Sequence, residues 1–553
     1  MKRRTSRHQA NRPGVPREHR SGRGFARLAL LLMPLLRVGG AHAQTITRGP
    51  YIQDASSTAI SVRWRTSVAA GSRVDWGGAT PGVYTTSIVD PTLTVDHEVR
   101  LTGLAPASKH AYAVGTPTAL LTPADATYSF VTAPTPGSTA PVRVWVVGDS
   151  GNDNIDSETV RDRFAAWSTG RPPDLWLMLG DNAYSGGTDA EYQAGCFNLY
   201  PRALRNWPLF PTRGNHDDLY AGPGNDYLDF FTMPAVGECG GVPSGSKSYY
   251  SYDWGSVHFI CLDSVDSDRS LGGPMLQWLR QDLAATNANW VVCYWHHPPY
   301  TKGSHDSDDP GDSGGRMTDM RTNVLPILDS TGVDVVLSGH SHSYERSYLL
   351  NGHYGLSTTL TSAMKVGPGD GRVDGNGAYQ KAGTGTQPFE GAVYAVAGSS
   401  SQVDPVSAMP CMVSSISVMG SMVLDIVGNR LDARFMDITG AVRDSFTIVK
   451  GGVVARVTPH SPALRLAAPW PNPSRSAVTL ELELPHAGSA TLDVVDAAGR
   501  RVARLLDGPQ AAGTQHLQWR GALGRGRPAA AGLYWAVLTA NGETRVRRIV
   551  LEP

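Results

Sequence analysis

The sequence is short of several things, and each absence narrows the reading. It has no net charge, with 49 basic residues against 49 acidic ones, so it exerts no general pull on nucleic acid or anionic membranes. It has no sustained helical heptads. With 61 glycines and 38 prolines that favours a β-rich or α/β protein with many loops. Beyond the N-terminal stretch no apolar run is long enough to span a bilayer. Cysteine is scarce: Cys196, Cys239, Cys261, Cys293 and Cys411, an odd count that leaves at least one thiol unpaired. Cys261 and Cys293 lie in apolar runs and are expected to be buried thiols. Cys196, Cys239 and Cys411 lie in loop-like sequence, where an exported protein is free to form one disulfide among them, and spacing does not say which pair.

What is present begins with a processing signal. Met1–Arg27 carries many Arg and Lys and one acid, Glu18; Leu28–Leu36 is apolar; Ala41-His42-Ala43 offers small residues at the two key positions of a signal-peptidase site. Residues 1–43 therefore read as a secretory signal peptide. A chain of 553 residues is too long for one domain. Residues 45–134 alternate apolar and polar between turn signals, as in Ala59–Trp64 and Ala111–Val114, the pattern of a small β-sandwich. APTPGSTAP at 133–141 is a linker. Residues 141–450 then alternate strand-length apolar runs with helical patterns such as Asp156–Trp167 and Gln277–Leu283, which predicts a layered α/β domain. Residues 451–470 form a second linker, and 471–553 read as another β-sandwich, with turns at Ala498-Gly499 and Asn541-Gly542.

In the α/β region each apolar run ends in a polar cluster, where such folds keep their chemistry. Val142–Val147 ends in GDSG with Asp149. Leu175–Leu179 ends in GDNAY with Asp181 and Tyr184. Pro208–Pro211 precedes RGNHD with Asn215 and His216. Trp290–Trp295 ends in HHP with His296. Val333–Leu337 ends in SGHSH with His340 and His342. If that last stretch continues as a strand, its two histidines at i and i+2 share a face. Carboxylates, an amide, a phenol and imidazoles are hard and borderline ligands suited to Fe, Mn or Zn. They are too many for one ion with open positions and fit two ions about 3.5–4 Å apart.

The ordered series GDSG, GDNAY, GNHD, HHP and GHSH resembles the metallophosphatase motifs. The tyrosine of GDNAY and the run GHSHSYERS resemble purple acid phosphatases, especially the larger plant-type enzymes with a fibronectin type III-like N-terminal module; LTGLAP and AYAVG at 101–115 are similar to that module. The resemblance implies a four-layer α/β/β/α catalytic domain between two β-sandwiches. It implies a ferric ion held by Asp149, Asp181, Tyr184 and His342, bridged through Asp181 to Fe2+, Zn2+ or Mn2+ held also by Asn215, His296 and His340. A metal-bound hydroxide would attack a phosphate monoester, a small-molecule substrate, with His216 and His305 assisting the leaving group. His297 carries no assigned role, and Glu345 and Arg346 stand open between substrate contact and a salt bridge. A phosphodiesterase or nucleotide hydrolase is the alternative on the same metals; an inactive surface binding protein is the alternative from another class. At the C-terminus, PNP, VDAAGRRVARLL and GLYWAVLTANGETRVRRIVL resemble type IX sorting or FlgD-like immunoglobulin modules of exported bacterial proteins. That implies a secreted or cell-surface location and contact with secretion machinery.

Overall fold

A computed structural model describes residues 44–552 except 221–225, 368, 452–463, 485–486, 512, 524–526 and 541. The expected signal peptide, most of the expected second linker and Asn541 of the expected C-terminal turn lie outside the described residues. Six strands from Ile46 to Val131 build the N-terminal unit around one long strand, Ala59–Trp76. That strand pairs along its length with Thr86–Thr102, with register shifts between Arg65 and Ser72. Its first half also pairs with Ile46–Gln53 and its last residues with Lys109–Thr116. AISVRW and RVDW, separate in the sequence pattern, are thus one bent strand.

Two seven-stranded sheets follow. The first runs Tyr379–Lys381, Val442–Lys450, Arg430–Asp437, Gly420–Val427, Val142–Val147, Leu175–Leu179, Leu209–Thr212. The second runs Tyr250–Trp254, Val257–Cys261, Trp290–Tyr294, Val335–Ser338, Ala392–Ala397, Tyr344–Leu350, Met412–Ile416. Side chains alternate across a strand, and the second sheet uses both faces. Phe259, Val292, Tyr294, Val335 and Leu337 enter a core shared with the first sheet. Ile260, Val291, Cys293 and Val336 pack with Leu276, Leu279 and Leu328 of the helices Pro274–Ala285 and Leu325–Thr331. On the far side of the first sheet Phe164 of the helix Ile155–Trp167 stacks on Trp145, ring centroids 4.4 Å apart. The order is helix, sheet, sheet, helix: the four-layer α/β/β/α arrangement expected, with β-rich regions on either side.

The N-terminal unit shares its core with this domain, and buried bonds cross between them. Tyr51 Oη donates to the Phe230 carbonyl at 2.8 Å and Tyr112 Oη to that of Arg205 at 3.0 Å. The C-terminal sheets, of three and four strands, enclose a core of their own. The Gly-rich stretch 354–388 is mostly turns, and its Tyr379–Lys381 extends the first sheet, parallel to Val442–Lys450.

Cys261 and Cys293 are buried thiols as expected, whereas the reading of Cys196, Cys239 and Cys411 as loop cysteines open to a disulfide needs correcting. All five thiols are free and buried. Cys196 sits in the helical turn Gln193–Asn198, not a loop, and packs in the shared core. The Cys239 thiol donates to Asp54 Oδ1 at 3.1 Å. Cys411 belongs to the core on the other side of the second sheet.

At one end of the second sheet His258 lies between two carboxylates, Nδ1 2.7 Å from Asp253 and Nε2 2.8 Å from Asp282 of the helix Pro274–Ala285. Burial opposes its charge, but these bonds outweigh burial and push its pKa up to about 9 from 6.5. Its folded value exceeds its unfolded one, so the stabilisation is full below pH 6.5 and is lost as pH rises through about 9. The contribution amounts to about 3 kcal/mol at most. Urea unfolding at pH 6 and pH 9.5 is expected to show that loss in the wild type and not in His258→Asn; equal losses in both would remove His258 as its source.

Candidate metal centre

The clusters gather at the C-terminal ends of parallel strands from both sheets. Val142–Val147, Leu175–Leu179 and Leu209–Thr212 are mutually parallel in the first sheet. Trp290–Tyr294 and Val335–Ser338 are parallel in the second. Each strand ends in a sharp turn, and Asp149, Asp181 and His340 have left-handed backbones, with φ of 52°, 52° and 69°. This conformation costs a non-glycine residue about 1–2 kcal/mol and persists because the turns bind one another. The Asp149 N–H donates to the Gly180 carbonyl at 3.1 Å, and the His340 N–H to Asp149 Oδ2 at 2.7 Å. The preceding glycines are required by close approach. A Cβ on Gly180 would lie 2.5 Å from His296 Nδ1, and one on Gly339 2.4 Å from Asp149 Oδ2.

All the candidate ligands meet here. Tyr184 Oη donates to Asp181 Oδ2 at 2.9 Å and Asp149 Oδ1 at 3.2 Å. His296 Nε2 is 3.4 Å from Asp181 Oδ1, 3.0 Å from Asn215 Oδ1 and 3.2 Å from His340 Nδ1. His342 Nε2 is 3.8 Å from Asp149 Oδ1. The two histidines of SGHSH do not converge by strand alternation, because the strand stops at Ser338; a turn with His340 left-handed aims them instead.

The two candidate acid–base histidines flank this cluster. The His216 N–H donates to Asp181 Oδ1 at 2.9 Å, its Nδ1 meets the Ser185 carbonyl at 2.7 Å, and its ring lies 4.9 Å from that of Tyr184. The His305 ring stacks on His340 at 3.9 Å, and its Nδ1 is 2.9 Å from Asp312 Oδ1. His297 is buried, 2.9 Å from Ser264 Oγ and with its ring 4.3 Å from that of His340. Burial, then His296 and then the Arg316 guanidinium hold its pKa well below the usual range. Glu345 and Arg346 point away from the cluster. Arg346 grips Asp444 through Nε at 2.6 Å and Nη2 at 3.0 Å. Glu345 accepts from Thr301 Oγ1, from the Lys302 N–H and from Ser343 Oγ, and burial pushes its pKa up to about 7.

The donor set fits cations. Asp149 and Asp181 are 0% and 1% exposed, and among the described residues no Lys or Arg pairs with either. Burial, then Asp181, drives the Asp149 pKa well above its usual range, as expected of a carboxylate pair with no counter-ion. Burial drives the His340 pKa well below its own, leaving a bare imidazole. His296 Nδ1 meets the Leu179 carbonyl at 2.9 Å, a contact only an N–H makes, so Nε2 carries the lone pair. His342 Nδ1 faces Asp404 Oδ2 at 2.6 Å, again freeing Nε2. Such outer partners orient ligating histidines. The groupings Asp149–Asp181–His296 and His296–His297–His340 each bring their ligand atoms within 4.8 Å of one another.

Several residues of the centre escaped the motif reading. Asp404 and Gln402, which approaches His342 Nε2 at 2.9 Å, lie about sixty positions from their histidine with no periodic signal. Asp312 and Ser313, the latter with Oγ 2.7 Å from His340 Nε2, sit in a polar loop. Asp217 was visible inside GNHD. Its carboxylate ties two turns together by accepting from Asn182 N–H at 2.8 Å and Gly214 N–H at 2.7 Å, and burial, then Asp181, pushes its pKa up to about 8.

The calcineurin-like phosphoesterase family matches residues 142–344, and the FlgD Ig-like domain family matches 473–543. Purple acid phosphatase 15 of Arabidopsis thaliana is 28% identical over 291 residues, 47% of this chain and 51% of that protein. Purple acid phosphatase 22 of the same plant is 31% identical over 218 residues, 38% and 46% of the two chains. An uncharacterized protein of Mycobacterium tuberculosis is 27% identical over 364 residues, 58% and 64%. The matched region thus spans about half to two thirds of these relatives' length. A purple acid phosphatase from yellow lupin (Lupinus luteus) seeds shares the fold, with a TM-score of 0.56 at 16% identity over 73% of this chain and 75% of that one. So does PhoD, with a TM-score of 0.52 at 14% identity over 74% and 91%. The chain carries a calcineurin-like metallophosphatase domain with purple acid phosphatases among its relatives, and a FlgD Ig-like domain at its C-terminus.

Proposed function

We propose that this is an exported phosphoric monoester hydrolase of the purple acid phosphatase type, working on two metal ions. The observation that carries it is the buried carboxylate pair Asp149–Asp181, without a Lys or Arg partner among the described residues and with Tyr184 Oη bonded to both. Asp149, Asp181, Tyr184 and His342 would hold Fe3+, with Asp181 shared; Asn215, His296 and His340 would complete a site for Fe2+, Zn2+ or Mn2+. When bound, the ions lower the pKa of water to provide a nucleophile and neutralise charge on the phosphoryl group. The chain's own part is to fix geometry and handle protons. His216 on the Tyr184 side and His305 on the His340 side flank the place where an alkoxide would leave, and each is held by a second group, the Ser185 carbonyl and Asp312. Asp404 and the Leu179 carbonyl keep His342 and His296 in the tautomer that leaves Nε2 free.

In this reading residues 45–134 are a fibronectin type III-like module, 141–450 the catalytic domain, and 471–553, with its separate core, a sorting or anchoring domain dispensable for catalysis.

The test is one purified sample, analysed for metals and assayed against a monoester, a diester and ATP. A phenol with a pKa of about 10 would release its proton to solvent on binding a ferric ion, and the phenolate would then transfer charge to iron under visible light, whereas Zn2+ has no redox chemistry. Iron-loaded protein is expected to be violet, and Tyr184→Phe to lose the band while keeping iron. An unchanged band with iron retained would remove Tyr184 as a ligand and the purple subclass with it.

A further inference from the structure

The turn Asp312-Ser313-Gly314-Gly315-Arg316 lies against the centre. Ser313, Gly314 and Gly315 are successively left-handed, with φ of 53°, 63° and 80°. For Ser313 that is an unfavourable backbone, of the kind that persists where surroundings impose it and that clusters at functional sites. The turn places Asp312 on His305, Ser313 Oγ on His340 and, one residue beyond the glycines, the guanidinium of Arg316.

Arg316 differs from the cations near it. Arg213 is held by Asp218, Asp263 and Asp266 at 2.7, 3.0 and 3.1 Å. Arg269 is held by Asp319 at 3.2 Å and Lys302 by Asp306 at 2.9 Å. Arg316 has no carboxylate partner among the described residues. Its Nε donates to the Val265 carbonyl and its Nη1 to the Ser313 carbonyl, each at 3.0 Å. Two backbone carbonyls therefore fix the plane of the guanidinium without neutralising it, and Nη2 has no partner among the described residues. The group is half-buried, so water screens its charge only in part. A planar, pre-oriented fork with free N–H donors is the arrangement that recognises phosphate in two-point fashion. Ser313 touches both, His340 through its Oγ at 2.7 Å and Arg316 through its carbonyl at 3.0 Å.

We propose that Arg316 is a specificity-determining residue that binds a second phosphoryl group on the substrate, so that the centre favours phosphate esters or anhydrides carrying two phosphates over simple monoesters. The proposal rests on the phosphoesterase reading above. The second group has two sources, the next phosphate of an anhydride chain or a separate phosphate on the same carbon skeleton.

The experiment compares wild type, Arg316→Ala and Arg316→Gln, the last keeping an amide donor for a backbone carbonyl while removing the charge. kcat/KM is measured for 4-nitrophenyl phosphate, a nucleoside diphosphate and a sugar bisphosphate. The expected result is a wild-type preference for one or both two-phosphate substrates, and a fall of about 10–100-fold in that preference in both variants, carried by KM. Loss of preference for the diphosphate alone identifies the anhydride source, and for the bisphosphate alone the separate phosphate. A preference that is absent in wild type, or unchanged in variants of wild-type melting temperature, overturns the proposal. Binding of pyrophosphate and orthophosphate to the metal-loaded protein keeps it separable from the phosphoesterase reading. If no ester turns over, that reading fails, while a pyrophosphate preference that disappears in both variants still supports Arg316 and equal affinities still overturn it.

Discussion

Asp181→Asn is expected to lower kcat by about 10³-fold or more and to lower bound metal, while leaving the melting temperature close to that of the wild type. Asn keeps the shape of the side chain and an oxygen able to accept the His216 N–H, which now donates to Asp181 Oδ1 at 2.9 Å. The Asn182–Asp217 contacts that hold the neighbouring turns are untouched. What disappears is a buried carboxylate charge that lies 2.9 Å from Tyr184 Oη through Oδ2 and 3.4 Å from His296 Nε2 through Oδ1. A metal's stabilisation of transition-state charge is worth several kcal/mol, and each 1.36 kcal/mol is tenfold in rate, which gives the expected factor. Elemental analysis alongside kcat for one ester tests it. Full turnover with a normal complement of metal in Asp181→Asn would sink the assignment of Asp181 as a shared ligand.

The convergence of Asp149, Asp181, Asn215, His296 and His340 was legible because each follows an apolar run of strand length, and parallel strands of one layered domain end on the same side. The apolar runs coincide with strands: Val142–Val147 and Leu175–Leu179 are strands over those residues, and the run Pro208–Pro211 corresponds to the strand Leu209–Thr212. Which nitrogen of each candidate histidine is left free was not legible. It depends on the Leu179 carbonyl and on Asp404, which reach His296 and His342 across 117 and 62 positions, and no local pattern encodes such distances. The bent strand Ala59–Trp76 was hidden for another reason: Ser67–Ala69 break the alternation where the register shifts, so one strand reads as two. The burial of Cys261 and Cys293 was legible from their apolar runs; that of Cys196 was not, because it lies among polar and small residues and is buried by a turn packed in the core shared with the N-terminal unit.

The sequence pattern was blind in the same way at the other end of the sheets, where the largest effect on stability is expected. Asp334, immediately before the strand that leads to His340, is fully buried and holds two lysines, Lys381 Nζ at 2.6 Å and Lys450 Nζ at 2.7 Å. Lys381 and Lys450 end two strands of the first sheet, whereas Asp334 belongs to the second and also accepts the Val291 N–H at 2.9 Å. The cluster therefore clamps the two sheets together at the end opposite the metal centre. Lys450 is stitched in further by the Asn289 and Gly385 carbonyls and by the Trp290 ring, 4.6 Å away. Burial already holds the Lys450 pKa below its usual range, against the pull of Asp334. Removing the carboxylate leaves two ammonium groups facing each other in the interior, and breaking a buried ion pair from one side costs about 3–5 kcal/mol. Asp334→Ala is thus expected to lower the melting temperature by roughly 10 °C and to reduce soluble yield, although no candidate ligand is touched. Replacing all three charges, as Asp334→Leu with Lys381→Met and Lys450→Met, is expected to recover much of that loss, because the cost lies in the unpaired charge and not in the missing volume. A melting temperature for Asp334→Ala within about 2 °C of the wild type would show that the carbonyls alone hold the two lysines, and that the sheets are clamped by their shared apolar core instead.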